Sequence, residues 1–498
     1  MDNINNFIRD LDQLDKKTGQ QFLKDFILEE KHLNNRLKAL EKFMEVDDGS
    51  NYEFLEQLFL SDEDRKVRML AGKLLLGRYS NQEQLLTLLK FTLDNINDIY
   101  QKILALEFLN KIGSKSAIRI IIDYMKHVCK RLFGKKAFRD NGRIFSGNSF
   151  TDRILNEGIL KVGEYSINPR LLSEEELDTC INICLHDHYI NVLGYHATFK
   201  GGTIILLNCE GMGLTRISDI IGIERLGKLE HLMLQRNNIG EIDGLEHLKS
   251  LKVLNLSGNK IKKIENLSFL KNLEELDLSS NEIRSIEKLG DLPSLKYLDL
   301  SSNKISEIQN LNGLKCLEVL NLSHNEISQI TGLDGLKRLK ILNLASNNII
   351  KISGLRELRE LVSLYLNKNK ISEIKGLSTL ENLRVLNLSN NAIQKISNLD
   401  GLKNLTKLEL SMNLIRKIEG LDQLTNLQEL FLDRNQISSM DGLEGLKSLI
   451  ILFLESNNIT EFREEHLDGL DNLNFIFLNN NKLTPESLRI YKRLCRFP

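Results

Sequence analysis

An asparagine returns every 22 residues through the second half of this chain, at Asn237, Asn259, Asn281, Asn303, Asn325, Asn347, Asn369, Asn391, Asn413, Asn435 and Asn457; Asn481 follows after 24. A fixed period of this length means one structural unit stacked on itself. The unit that begins at Leu251 shows what is repeated. Leu254 and Leu256 are two residues apart, which puts both side chains on one face of a short strand. From Ile261 through Ile264, Leu267 and Leu270 to Leu273 the step is three, the repeat of a 3₁₀-like turn.

Each unit therefore reads as a strand and a tight return path, and successive strands should form one parallel sheet. About seven apolar side chains per unit point inward, each contributing roughly 1.5–3 kcal/mol when fully buried. Ordering a unit costs more, at about 1–2 kcal/mol per residue for the backbone alone. A lone unit should not fold, and stacking must supply the difference. The asparagine also points inward, where the backbone of a neighbouring coil can satisfy its amide and repeat the same bonds as a ladder. Seven residues past it stand Gly244, Gly332, Gly354, Gly376, Gly420 and Gly442, or Asn266, Asn310 and Asn398, with Lys288 the exception. Gly and Asn tolerate positive φ, so the coil is expected to turn through a left-handed conformation there.

The unit LxxLxLxxNxIxxIxGLxxLxx, as from Leu317 to Arg338, resembles the leucine-rich repeat in its 22-residue class. That class includes the leucine-rich regulatory subunit of type-1 protein phosphatase and the bacterial internalins. The resemblance implies an α/β solenoid of about 12–13 coils over residues 201–483, with a parallel concave sheet and a 3₁₀-like convex side. It implies a protein-binding role without naming the partner, because the consensus residues build the core. Met212 replaces the asparagine in the first coil, as terminal repeats allow. Gly201-Gly202 suits a tight hairpin turn. Thr484-Pro485-Glu486 reads as the start of a capping helix over 484–498, with Leu488, Tyr491 and Leu494 on its apolar stripe.

Residues 1–133 lack that period. Apolar spacings of three and four, few glycines and no proline read as helices. Arg36-Leu37-Lys38-Ala39, Arg68-Met69-Leu70-Ala71 and Lys102-Ile103-Leu104-Ala105 recur at spacings of 32 and 34. Ser61-Asp62-Glu63-Asp64 reads as an N-cap with an acidic first turn. The run from Asp62 to Leu75 resembles a HEAT repeat, which implies an all-α helical-repeat domain of three hairpins between about 32 and 128. Residues 134–200 read as a connecting segment. Glycine and phenylalanine rise there, and a helix follows Ser173-Glu174-Glu175-Glu176 before the solenoid's N-terminal cap.

Composition bounds the function. Net charge is −1, so the chain has no bulk attraction for nucleic acid or anionic lipid. No apolar run approaches the ~20 residues that span a bilayer. The first 30 residues lack a basic start followed by an apolar run, and the six cysteines are scattered, so the expected compartment is the reducing cytoplasm. The chain is expected to be monomeric, with no cofactor.

Three chemical candidates are weak. Cys180, Cys184, His186, His188 and His196 are zinc-ligand types, but their spacing is poor and both cysteines fall on an apolar helical stripe. Lys130, Arg131, Lys135, Lys136, Arg139 and Arg143, interleaved with Phe133, Phe138 and Phe145, could serve a nucleic-acid or anion adaptor. A solvated linker explains them as well. No GxSxG, HExxH or GxGxxG is present, so the chain is not expected to be an enzyme.

The outward strand positions carry more. One row is mostly Asn and Asp until Tyr365, and ends Phe431, Phe453, Phe477 on adjacent strands, with Ile451 and Phe475 two residues upstream. These should form an apolar patch on the concave sheet, the expected partner site. Glu275, Asp277 and Asp299 make an acidic patch that could steer a basic partner, though solvated surface charge is the simpler reading.

Overall fold

The computed structural model describes residues 4, 7, 8, 11, 14–79, 83–140, 172–289 and 292–494, with backbone alone over 133–140. The chain forms two compact units, Met1–Ile205 and Leu206–Pro498.

In the first unit the described helices are α1 (Lys16–Glu29), α2 (Leu33–Val46), α3 (Tyr52–Ser61), α4 (Arg65–Tyr79), α5 (Glu83–Asn95), α6 (Ile99–Ile112), α7 (Lys115–Asp140) and α8 (Glu174–Asn191). Neighbours in sequence pack as pairs, α1 on α2, α3 on α4 and α5 on α6, around Phe43, Phe59, Leu75, Leu89 and Leu106. The recurring cation tracks this order. Arg36 of α2 pairs with Asp62, just past α3. Arg68 of α4 reaches Asp98, the N-cap of α6, at 2.7 Å. Lys102 of α6 lies over the Tyr124 ring of α7 at 5.6 Å.

Two local expectations change. Ser61 is the last residue of α3, its hydroxyl donating to the Gln57 carbonyl at 2.8 Å. Asp64 takes the capping role, its carboxylate accepting from Lys66 N at 2.7 Å. The helical path of α7 also continues past 133 to Asp140, without a break at Gly134. α8 starts as read, with Ser173 and Glu176 in a reciprocal capping box. β1 (His196–Lys200) and β2 (Thr203–Asn208) are joined by Gly201 and Gly202, at φ 57° and 83°.

The second unit opens with the last residues of β2. Three-residue strands follow: β3 (His231–Met233), β4 (Val253–Asn255), β5 (Glu275–Asp277), β6 (Tyr297–Asp299), β7 (Val319–Asn321), β8 (Ile341–Asn343), β9 (Ser363–Tyr365), β10 (Val385–Asn387), β11 (Lys407–Glu409), β12 (Glu429–Phe431), β13 (Ile451–Phe453) and β14 (Phe475–Phe477). All pair in parallel, in register and in chain order, as a leucine-rich solenoid requires. The return path is built from i→i+3 bonds such as Leu248 N to Leu245 O and Leu270 N to Leu267 O, both 3.0 Å.

The asparagines form the expected ladder. Asn259 donates to Leu234 O of the coil before and to Leu256 O of its own, both 2.9 Å, and accepts from Ile239 N at 3.0 Å. The same set runs from Asn237 to Asn481. The position seven residues on is left-handed throughout, even at Lys288, where φ is 52°. Two solutions alternate there. At Gly332 and Gly354 the backbone lies so close that a Cβ would sit 2.5 and 2.4 Å from the carbonyls of Ile308 and Ile330. Asn266, Asn310 and Asn398 instead donate their amides to the corresponding carbonyls, Ile242, Ile286 and Ile374, at 2.7–2.8 Å. A second left-handed position, just before each asparagine, is occupied by Arg236, Ser280, His324, Lys368 or Met412.

The last coil is closed by α9 (Pro485–Leu494). Tyr491 Oη accepts from Leu478 N at 3.3 Å and donates to Ile476 O at 3.2 Å, so the helix binds the backbone of the final strand.

Candidate protein-binding face

Strand alternation sends Leu430, Leu452 and Ile476 into the core and turns their neighbours outward. Register places Phe431 beside Phe453 and Phe453 beside Phe477. Their rings stack with centroids 4.8 and 4.4 Å apart and planes 10° and 11° from parallel. Ile451 and Phe475 are paired in the adjacent row, and Phe475 keeps 44 % of its surface exposed. The five residues expected to form one patch are therefore brought together. Tyr365 stands apart, three strands from the stack, with Asn387 and Glu409 between.

The stack is bounded on β11 by ions. Lys407 Nζ lies 4.9 Å from the Phe431 ring centre, 3.1 Å from Glu409 and 3.4 Å from Glu429. Burial works against the Lys407 ammonium, but hydrogen bonds and charge from Glu409 and Glu429 hold its pKa above the usual lysine value. Reading the row of Phe431 alone misses Lys407 and Glu429; the second outward row of each strand contains both.

The residue before each strand alternates Glu230, Lys252, Glu274, Lys296, Glu318, Lys340 over β3–β8. These close three ion pairs, Glu230–Lys252 at 3.1 Å, Glu274–Lys296 at 2.7 Å and Glu318–Lys340 at 2.8 Å. The alternation then stops, and the same edge continues Val362, Arg384, Thr406, Gln428, Ile450, Asn474.

One member of the acidic trio, Asp299, has a different character from the one expected. Asp277 and Asp299 are in register, and Glu275 is exposed opposite Tyr297. Asp299 is only 9 % exposed and accepts from Ser301 N and Asn321 Nδ2, both at 2.8 Å, and from the Tyr297 hydroxyl at 3.2 Å. It is an internally bonded carboxylate rather than a solvated surface charge. Burial and the neighbouring Asp299 push Tyr297 up to about 12.

Among the described residues the first unit's metal candidates do not assemble. Cys180 and Cys184 are core residues, with Cys184 Sγ 3.8 Å from Met125 Sδ. His186 Nε2 lies 3.2 Å from Ala197 O, while His196 is exposed on β1. Among the described residues no three His, Cys, Asp or Glu are grouped to hold a metal. Arg131 pairs with Asp187, its Nε 2.8 Å from Oδ1, and Lys130 is exposed. The side chains of Lys135, Lys136 and Arg139, and the whole of Arg143, lie outside the described residues. Among the described residues no helix is long and apolar enough to cross a membrane.

A parallel sheet along one side, tight turns along the other and an internal asparagine ladder define a solenoid of stacked repeats. The chain belongs to the leucine-rich repeat proteins. Models of two-copy leucine-rich repeats match residues 227–269, 271–313, 315–357, 359–401, 381–423 and 403–445, and a further leucine-rich repeat model matches 425–483. Among solved structures, an internalin of Listeria monocytogenes is 28 % identical over 59 % of this chain and 95 % of its own, with a TM-score of 0.47. A leucine-rich repeat protein of Leptospira interrogans is 29 % identical over 57 % of this chain and 80 % of its own, at 0.49. The leucine-rich repeat domain of APL1B is 23 % identical over 58 % and 85 %, at 0.50. No curated protein matches the sequence.

Proposed function

We propose that this chain is a non-catalytic scaffold that binds a protein partner on the sheet face at β12–β14. Leucine-rich repeat arrays are general protein-interaction modules, which supports a protein-binding role. The observation that carries the site is the stack of Phe431, Phe453 and Phe477 beside Ile451 and Phe475. Elsewhere the row of Phe431 is polar from Asn255 to Asn343. Aromatic side chains clustered on a surface are the usual anchors of protein interfaces. Phe453→Asp should abolish capture of the partner from lysate without lowering the thermal stability of the solenoid. Undiminished capture by the folded variant would refute the site.

A narrower reading follows from the resemblance to the phosphatase subunit: regulation of a type-1 phosphatase. It predicts direct binding of the purified catalytic subunit, and no binding at micromolar concentration would remove it. The HEAT-like reading of residues 32–128 is supported by the repeated Arg36–Asp62 and Arg68–Asp98 ties, whereas the pairing of α1 with α2, α3 with α4 and α5 with α6 is one helix out of step with hairpins that begin at Arg36, Arg68 and Lys102. A reducing, cytoplasmic setting suits the free cysteines Cys129, Cys180, Cys184, Cys209 and Cys316.

A further inference from the structure

We infer that the segment seated on the aromatic stack is a basic amphipathic one, with aliphatic or aromatic side chains beside a lysine or arginine. The inference rests on the partner site proposed above and adds the partner's chemistry.

The charges around the stack are unequal. On its β11 side, Lys407 is already held by Glu409 and Glu429. Two residues past the phenylalanines, the coils carry Asp433 and Glu455, both half-buried. Their hydrogen-bond partners are neutral: Ser411 donates its hydroxyl to Asp433, and Asn479 Nδ2 donates to Glu455 at 3.0 Å. Against these four carboxylates stand Lys407 and the exposed Arg434. The flank of the stack is therefore net anionic, with two carboxylates whose bonds leave their charge uncompensated. An apolar segment lying there without a cation would partly desolvate both, and removing water from an uncompensated carboxylate is unfavourable. A lysine or arginine beside the apolar anchors supplies the missing charge, and an arginine can do so with paired hydrogen bonds. An acidic segment would meet like charge.

The footprint has a visible limit. From Glu230 to Lys340 the edge beside the sheet neutralises itself in alternating ion pairs. Around the stack that edge becomes Gln428, the half-buried Ile450 and Asn474, with no ion to displace. The partner thus meets Asp433 and Glu455 on one side of the phenylalanines, and on the other an uncharged edge behind the mutually paired Lys407 and Glu429. Its own cation should lie on one side of its apolar residues only.

The test is selection from a phage-displayed random peptide library on the full chain, on Phe453→Asp and on the double variant Asp433→Asn, Glu455→Gln. The wild type should enrich sequences with clustered apolar residues next to lysine or arginine, and Phe453→Asp should enrich none of them. A synthetic peptide from the winning group should bind the double variant roughly fivefold more weakly, and raised salt should narrow the difference. Phe453-dependent sequences without a basic preference, or equal binding to the double variant, would overturn this inference and leave the site standing. Enrichment indifferent to Phe453→Asp would overturn the site itself and the inference with it. Thermal unfolding of each variant separates loss of binding from loss of fold.

Discussion

Phe431 and Phe453 face each other from paired strands, ring centroids 4.8 Å apart and planes 10° from parallel. Because the strands are in register, the contact is fixed by the backbone, and Phe477 extends it by one coil. Such aromatic pairs add about 0.5–1.5 kcal/mol beyond their burial. A double-mutant cycle of Phe431→Leu and Phe453→Leu, followed by urea unfolding, should return a coupling energy in that range. A coupling near zero would mean that the rings are neighbours without interacting.

Asn347 tests the ladder in mid-array. It donates to Leu322 O at 2.9 Å and Leu344 O at 3.1 Å, and accepts from Ile327 N at 3.0 Å. Asn347→Ala strands polar groups in two coils at once, each costing about 1–3 kcal/mol when buried without a partner. A loss of about 3 kcal/mol or more in urea unfolding is expected. Asn481→Ala should cost less, because Asn481 is half-buried in the terminal coil. Equal costs would show that burial does not set the strength of these bonds.

What could be read from the residues divides on physical lines. The asparagine, the leucines and the glycine seven positions on are legible because the backbone admits few alternatives there. The left-handed position before each asparagine is not, because Arg236, Ser280, His324, Lys368 and Met412 share no chemistry. Coil closure imposes that conformation, at roughly 1–2 kcal/mol per residue that stacking must offset. At the site, strand alternation was enough to turn the phenylalanines outward together. The ions at Lys407 and the burial of Asp299 depend on which side chains meet across strands, and a single row does not show that. In the helical unit, Ser61 and Asp64 are both good caps, and only the end of α3 decides between them.

Two histidines make the first unit sensitive to acid. Burial pushes His186 and His188 below the ordinary histidine value of 6.5. The folded chain therefore resists a proton that the unfolded chain accepts. Stability is fully present above pH 6.5 and declines as the pH falls below it, toward the depressed folded values. Hydrogen exchange corrected for its intrinsic pH dependence should show α8 losing protection as the pH falls below 6.5, with the mid-array coils unchanged. Protection that grows on acidification would contradict the sign.

Gly442 and Gly354 separate two ways of making the same turn. Gly442 has φ 100°, and a Cβ there would sit 2.1 Å from the Ile418 carbonyl oxygen. Gly442→Ala must therefore move the backbone as well as adopt a conformation that costs roughly 1–2 kcal/mol for an L-residue. A total loss of about 2–4 kcal/mol is expected on urea unfolding. Gly354 is as crowded, with its Cβ position 2.4 Å from the Ile330 oxygen. Asn310 and Asn398 nevertheless occupy the equivalent place by donating to Ile286 O and Ile374 O at 2.7 Å. Asparagine tolerates the left-handed region and gains that bond, while alanine has the crowding without the bond. Gly354→Asn should therefore be about 1 kcal/mol less damaging than Gly354→Ala. The reverse order would mean that the glycine and asparagine coils differ in spacing too deeply for one side chain to convert them.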